Sequence, residues 1–205
     1  MDRLSKMGWL VGRDPGVRPL TEAVGTLPLT LALPAILPGP PPTVAGLQQV
    51  GATAVLCVAA ESSSKKVAKR AGCDYAKVAF DDSPDAVPPV AAFLDCWRYA
   101  QDANAACVRN AVALRLVVNC RSGRHRSPAV AAFLLAAFAG IGLDLAWNLL
   151  VGRYAAAEKV PAYMTGATAA LATLQAAGAA DGGGDGDDDG GRGTGRPTRA
   201  PRAGG

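Results

Sequence analysis

Apolar and polar positions alternate along the chain in a way that divides residues 27–176 into short strands and longer helices. Leu27–Leu33 reads as a first strand, placed at a sheet edge by its prolines, and Pro38–Pro42 as a stiff loop. Val44–Val50 predicts a short helix, and Thr53–Val58, rich in β-formers, a buried strand. Ser62–Ala71 reads as a helix with Lys65, Lys66, Lys69 and Arg70 turned to solvent, and Tyr75–Phe80 as the next strand. From Val87 to about Asn110 a long helix carries Phe93, Trp97 and Ala100 on one face, with Asp85 as its cap. Leu114–Asn119 is the central strand and Ser127–Ala139 the helix behind it. Gly140–Gly142 marks a break, followed by helices over Leu143–Ala157 and Ala162–Ala176. Such alternation predicts an α/β fold, a central and mostly parallel sheet of four to five strands with helices on both faces.

The flanks lack this patterning. Residues 1–25 form a Gly-, Pro- and charge-bearing lead, residues 26–177 the folded domain, and residues 178–205 a tail of Gly, Asp and Arg. The tail is acidic over Asp181–Asp189 and basic over Arg192–Arg202, and it offers nothing from which to build a core. Its basic end could touch a polyanion, but the simpler expectation is a solvated extension with no stable nucleic-acid partner.

Half of the 205 residues are hydrophobic, enough for one ordinary core. Cys57, Cys73, Cys96, Cys107 and Cys120 are irregularly spaced and odd in number, a pattern of reduced thiols that predicts an intracellular protein, cytoplasmic or nuclear. The N-terminal residues lack the apolar block of a secretory signal. Leu27–Leu37 is too short to span a membrane and is broken by Pro28 and Pro34, so no membrane partner is expected and the protein is read as a monomer.

The candidate chemistry lies between the central strand and its helix. The stretch Asn119-Cys120-Arg121-Ser122-Gly123-Arg124-His125-Arg126-Ser127-Pro128 places a thiol at the start of a short loop and a guanidinium at its end. A loop opening onto a helix N-terminus offers unpaired backbone N–H groups and the helix dipole to a phosphate-sized anion. Gly123 can adopt the positive φ that such a loop requires. Arg126 can grip two phosphate oxygens with its planar fork. The same field favours the thiolate of Cys120, the nucleophilic form. Ser127 can donate to the sulfur when the thiolate leaves, and Pro128 sits where a missing N–H costs nothing. The competing reading is a buried structural cysteine beside a solvated basic turn.

Cys120, Gly123, Arg126 and Ser127 are in register with the signature of the cysteine-dependent protein phosphatases, and the chain resembles their compact dual-specificity type. It departs from that signature at Asn119, where the family usually has His. The stretch from Gly142 through Leu150 is also similar to the helix that usually follows the signature helix. The resemblance implies an acid on a loop upstream, and Asp81-Asp82-Ser83-Pro84 after Tyr75–Phe80 is similar to that loop. Asp82 is assigned as the general acid with Asp81 as the alternative; a capped turn is the plain reading of the same cluster. Cys120, Arg126, Asp82 and Ser127 would then be catalytic, and Arg121, Ser122, Gly123, Arg124, His125 and Arg126 would bind the substrate phosphate.

The implied reaction is hydrolysis of phosphotyrosine and phosphoserine or phosphothreonine through a cysteinyl-phosphate, with a phosphoprotein as substrate. No cofactor is expected and no metal: one histidine and no CxxC pair leave no zinc cluster of ordinary spacing. Arg121 and Arg124 leave open the same chemistry on a phosphoinositide or an RNA 5′-phosphate, and Asn119 leaves open a phospho-binding pseudophosphatase. His125 is read as packing at the rim, with substrate contact as the alternative. The run Leu56-Cys57-Val58-Ala59-Ala60-Glu61 resembles a stretch of the tensin-like lipid phosphatases in which the cysteine forms a reversible disulfide with the nucleophile; a buried small apolar residue is the plainer reading of Cys57.

Overall fold

The computed structural model describes residues 33–181, with side chains over 33–177. The lead over residues 1–25, the stretch from Leu27 to Ala32 and the tail from residue 182 onward lie outside the described residues. Elements follow the order β1 (Ala35–Gly39), α1 (Val44–Gln49), β2 (Ala54–Ala59), α2 (Lys65–Ala71), β3 (Asp74–Phe80), α3 (Val90–Arg109), β4 (Arg115–Asn119), α4 (Arg126–Ala139), α5 (Leu143–Val151) and α6 (Pro161–Asp181). The four strands form one sheet in the order β1-β4-β2-β3, and every pairing is parallel. The expected architecture is therefore present, with four strands among the described residues.

Burial on both faces explains why β2 and β4 read as continuous apolar runs. Val55 and Val117 face a small cluster with Leu47 of α1 and Ala68 of α2. Ala54, Leu56, Leu116 and Val118 face the larger cluster, which includes Phe93 of α3, Phe133 of α4 and Tyr163 of α6. Phe93 and Phe133 meet edge to face with centroids 5.3 Å apart, the arrangement that ring quadrupoles favour. Helix α4 is buried without interruption from Arg126 to Ala136 and so lies inside the protein rather than on it. Among the described residues no helix is long and apolar enough to cross a membrane.

Several expected boundaries move. Pro38, expected in a stiff loop, lies inside β1, which among the described residues pairs only with β4, so its missing N–H breaks no second ladder there; the expected strand Leu27–Leu33 falls almost wholly outside the described residues. Asp85 does not cap α3. It lies in a turn, and the helix waits until Val90 because Pro88 and Pro89 disfavour the helical region for the residues before them. Helix α5 stops at Val151 instead of Ala157, and the segment 152–160 leaves it to contact the loop after β4. Helix α6 runs on to Asp181, past the expected domain edge at residue 177.

Placing β4 between β1 and β2 sets the site. All four strands are parallel, so their carboxyl ends share one edge: Gly39, Ala59, Phe80 and Asn119 open there. Crevices at the carboxyl edge of an open α/β sheet, where the strand order reverses, are where such folds bind ligands.

Candidate active site

The loop from Cys120 to His125 joins a strand buried from Leu116 onward to a helix buried from Arg126 to Ala136. Cys120 is 1% exposed, and its backbone N–H donates to Gly39 O at 3.2 Å, continuing the β1–β4 ladder by one residue. Gly123 has φ +77°, and its N–H donates to Cys120 Sγ at 3.2 Å. An added Cβ there would lie 2.5 Å from Pro40 N, 2.7 Å from Gly39 C and 2.7 Å from the Tyr154 hydroxyl. Glycine is thus required twice, for the backbone conformation and for the close approach. Tyr154 is buried and donates to Gly123 O at 2.8 Å, clamping the turn of the loop; burial first, then the nearby Cys120, pushes its hydroxyl up to about 12, so it remains a donor.

Ser127 is fully buried in the first turn of α4, with Oγ 3.3 Å from Cys120 Sγ and donating to Gly39 O at 3.1 Å. A serine hydroxyl has one proton. While that proton is on Gly39, Oγ accepts from the thiol; turned toward sulfur, it supports the thiolate.

Arg126 is fully buried, and two segments hold its guanidinium, the one after β2 and the one at the end of β3. Nη1 donates to Glu61 Oε2 at 2.9 Å and to Phe80 O at 3.1 Å, while Nη2 donates to Glu61 Oε1 at 2.5 Å and Asp82 Oδ2 at 3.1 Å. This is a bidentate fork on Glu61 with Asp82 beside it. The Glu61 hydrogen bond, followed by the charges of Asp82 and Cys120, pushes Arg126 above its ordinary value against the opposing effect of burial. Arg126 in turn holds the Glu61 carboxyl down at about 2. Nε of Arg126 is buried without a hydrogen-bond partner among the described residues.

Asp82 also accepts a hydrogen bond from the Tyr163 hydroxyl at 3.1 Å, on Oδ1. Both adjacent aspartates are exposed, and Asp82 is the one that turns its carboxylate to Arg126 and Tyr163. His125 is half-buried at the rim: Nε2 lies 2.9 Å from Glu158 Oε2 and Nδ1 3.8 Å from Asp82 Oδ1. Arg124 pairs with Glu158, whose own N–H donates to Arg124 O at 2.8 Å. Arg121 and Ser122 are exposed on the loop.

No family model matches this sequence, and no curated protein matches it. Solved structures do. Human DUSP28 aligns over 72% of this chain and 97% of its own, with 21% identity and a TM-score of 0.58. PTPMT1 in complex with PI(5)P aligns over 70% and 94%, with 17% identity and a TM-score of 0.58. Tk-PTP in its active form aligns over 69% and 92%, with 18% identity and a TM-score of 0.54. This chain has the dual-specificity phosphatase fold.

Within the phosphatase fold the structure brings together Cys120, Arg126, Ser127 and Asp82, although the last comes from a loop after a different strand. Of the rim cations, Arg124 is engaged by Glu158. Asn119, at the position of the usual histidine, is fully buried; its Nδ2 contacts Cys57 Sγ at 3.7 Å and its Oδ1 has no partner among the described residues. Cys57, opposite Asn119 in the β2–β4 register, is a buried free thiol.

Sequence reasoning gives no role to Glu61, Tyr154, Glu158 or Tyr163. Glu61 alone carried a signal: it follows the carboxyl end of a strand bound for the same sheet edge. Because its folded-state pKa is depressed, the Glu61–Arg126 contact contributes stability in full above about pH 4.5 and loses it as pH falls toward about 2. Glu61→Gln is therefore expected to lower the melting temperature near neutrality, with the gap to the parent narrowing between pH 4.5 and 2. Thermal melts across that range check the sign.

Proposed function

We propose that this chain is a dual-specificity protein phosphatase, hydrolysing phosphotyrosine and phosphoserine or phosphothreonine through a cysteinyl-phosphate. The observation that carries the reading is the convergence of a buried thiol that accepts a backbone N–H, a fully buried arginine and an inward-turned aspartate. The three come from loops after two different strands. In the first step Cys120 Sγ attacks phosphorus, the bond to the leaving oxygen breaks, and Asp82 protonates that oxygen. In the second, water attacks phosphorus, the sulfur leaves as a thiolate supported by Ser127 and the Gly123 N–H, and Asp82 takes the proton from water. Arg126 Nε and the loop amides hold the equatorial oxygens throughout. The cysteine nucleophile makes a metal unnecessary to these steps.

The rim favours a singly phosphorylated protein substrate over a polyanion, because Glu158 already neutralises Arg124 and faces His125. A phosphoinositide substrate is the second reading. It rests on the exposed Arg121 and on the likeness to PTPMT1, which was crystallised with PI(5)P.

The reading is tested by turnover of an aryl phosphate in the presence of a chelator, inhibited by vanadate. Phosphopeptides, PI(5)P and a 5′-triphosphate RNA assayed in parallel then choose the substrate class. Asp82→Ala is expected to lower kcat/KM by about 10²–10⁴-fold for a poor leaving group such as a serine alkoxide, and far less for an activated phenol. If Asp81→Ala shows that pattern instead, the acid is its neighbour.

A further inference from the structure

Asp82 is held by more than its own loop. Tyr163, in the first turn of α6 and 1% exposed, donates its hydroxyl to Asp82 Oδ1 at 3.1 Å. Its ring packs edge-on to Phe80, two residues before Asp82, with centroids 6.1 Å apart and planes at 71°. One turn further along α6, Gly166 comes so close to the far end of the same loop that a Cβ there would lie 2.9 Å from Pro88 O and 3.0 Å from the Phe93 ring. Helix α6 therefore touches the acid loop at both ends, and among the described residues its hydrogen bond there is to the carboxylate.

On the phosphatase reading above, we propose that Tyr163 is the positioning residue of the general acid, fixing Oδ1 of Asp82 so that Oδ2 alone exchanges protons with the substrate. Oδ2 rests on Arg126 Nη2 at 3.1 Å. When a phosphoryl group occupies Arg126, Oδ2 is the oxygen set free to act. In the first step the S–P bond forms and the P–O bond to the leaving group breaks. The electron pair goes to the leaving oxygen, which takes the proton from Oδ2, and Asp82 becomes a carboxylate that still accepts the Tyr163 hydroxyl. In the second step the water oxygen bonds to phosphorus, the S–P pair returns to Cys120 as thiolate, and the water proton returns to Oδ2. Tyr163 keeps its own proton throughout. Burial first, then the charge of Asp82, pushes the phenol up to about 12, so it stays a donor in neutral solution.

The test is Tyr163→Phe, which removes the hydroxyl and keeps the ring against Phe80. kcat/KM is measured for a series of aryl phosphates of rising leaving-group basicity and for a phosphoserine peptide. A hydrogen bond to a charged group is of a size that predicts a loss of about ten- to a hundredfold for the peptide. Little change is expected for a nitrophenyl ester, which gives a steeper dependence on the leaving group. In an Asp82→Ala background the same substitution is expected to change nothing further. Equal loss on every substrate, no loss on any, or an undiminished effect without Asp82 would overturn the positioning role while leaving the phosphatase reading intact. Absence of turnover by the unmodified protein would overturn that reading and the positioning role together.

Discussion

Cys120→Ser is expected to stop hydrolysis of every phosphomonoester the protein accepts, with a fall in kcat on the order of 10⁴-fold or more. The sulfur is matched to its surroundings as an anion: it accepts the Gly123 N–H and lies beside the Ser127 hydroxyl. A serine oxygen at the same place needs a base to remove its proton, and none stands next to it. Ser127 is itself a hydroxyl, and His125 turns its two ring nitrogens toward Glu158 and Asp82. The substitution removes almost no volume, and the packing of Gly123 against Gly39, Pro40 and Tyr154 does not depend on sulfur. The variant is therefore expected to fold and still bind phosphorylated ligands, so that kinetics lose everything while a tungstate-induced rise in melting temperature survives. Residual turnover near the parent level would show that the chemistry lies elsewhere.

Arg126→Lys carries the second largest expectation, a loss of about 10²–10³-fold in kcat/KM together with a measurable drop in stability. Lysine keeps the charge but concentrates it at one atom. The guanidinium reaches both oxygens of Glu61, the Phe80 carbonyl and Asp82 at once, and still has Nε in hand. An ammonium with three donors cannot meet that set, and the plane that would lie along two phosphate oxygens is gone. Losing one charge-assisted bond from a fully buried side chain costs about 1.5–3 kcal/mol. The two carboxylates lie near the surface, with 35% and 39% of their side chains exposed, so water takes over part of what they lose. Parallel melting and single-turnover assays separate the two effects: the catalytic loss should persist at temperatures where the variant remains folded.

The loop after β4 was legible because its pattern is local. A buried strand, a thiol, a glycine three residues on, an arginine at six and a serine at seven are all read within a dozen positions, and strand-to-helix context follows from hydrophobic period. Between Asp81 and Asp82 the sequence is silent, since adjacent residues differ only in the way the chain leaves β3, and that is set by Tyr163 and Arg126 from distant segments. Glu61 and Tyr163 reach the site from 65 and 81 residues away along the chain; Glu61 is marked only by its place after a strand's carboxyl end, and Tyr163 by nothing local. The loop expected from Pro38 has a different cause. Proline is scarce inside strands, so Pro38 argues for a loop, and it is admissible because β1 pairs only with β4 among the described residues. Helix α5 was drawn too long for a third reason. Its alanines are good helix formers, but tertiary contacts override propensity, and those of Tyr154 and Glu158 with the anion loop do so here.

The hydrogen bond from Arg126 to Asp82 also bears on how the cleft meets ordinary cellular solutes. With that contact made, the guanidinium already has an internal counter-ion, so an arriving oxyanion must exchange with a carboxylate instead of filling an uncompensated cationic hole. Exchange favours dianions, which bring more charge than they displace, over chloride and other monovalent ions. On the proposed phosphatase reaction, the aspartate would reclaim the arginine as orthophosphate departs.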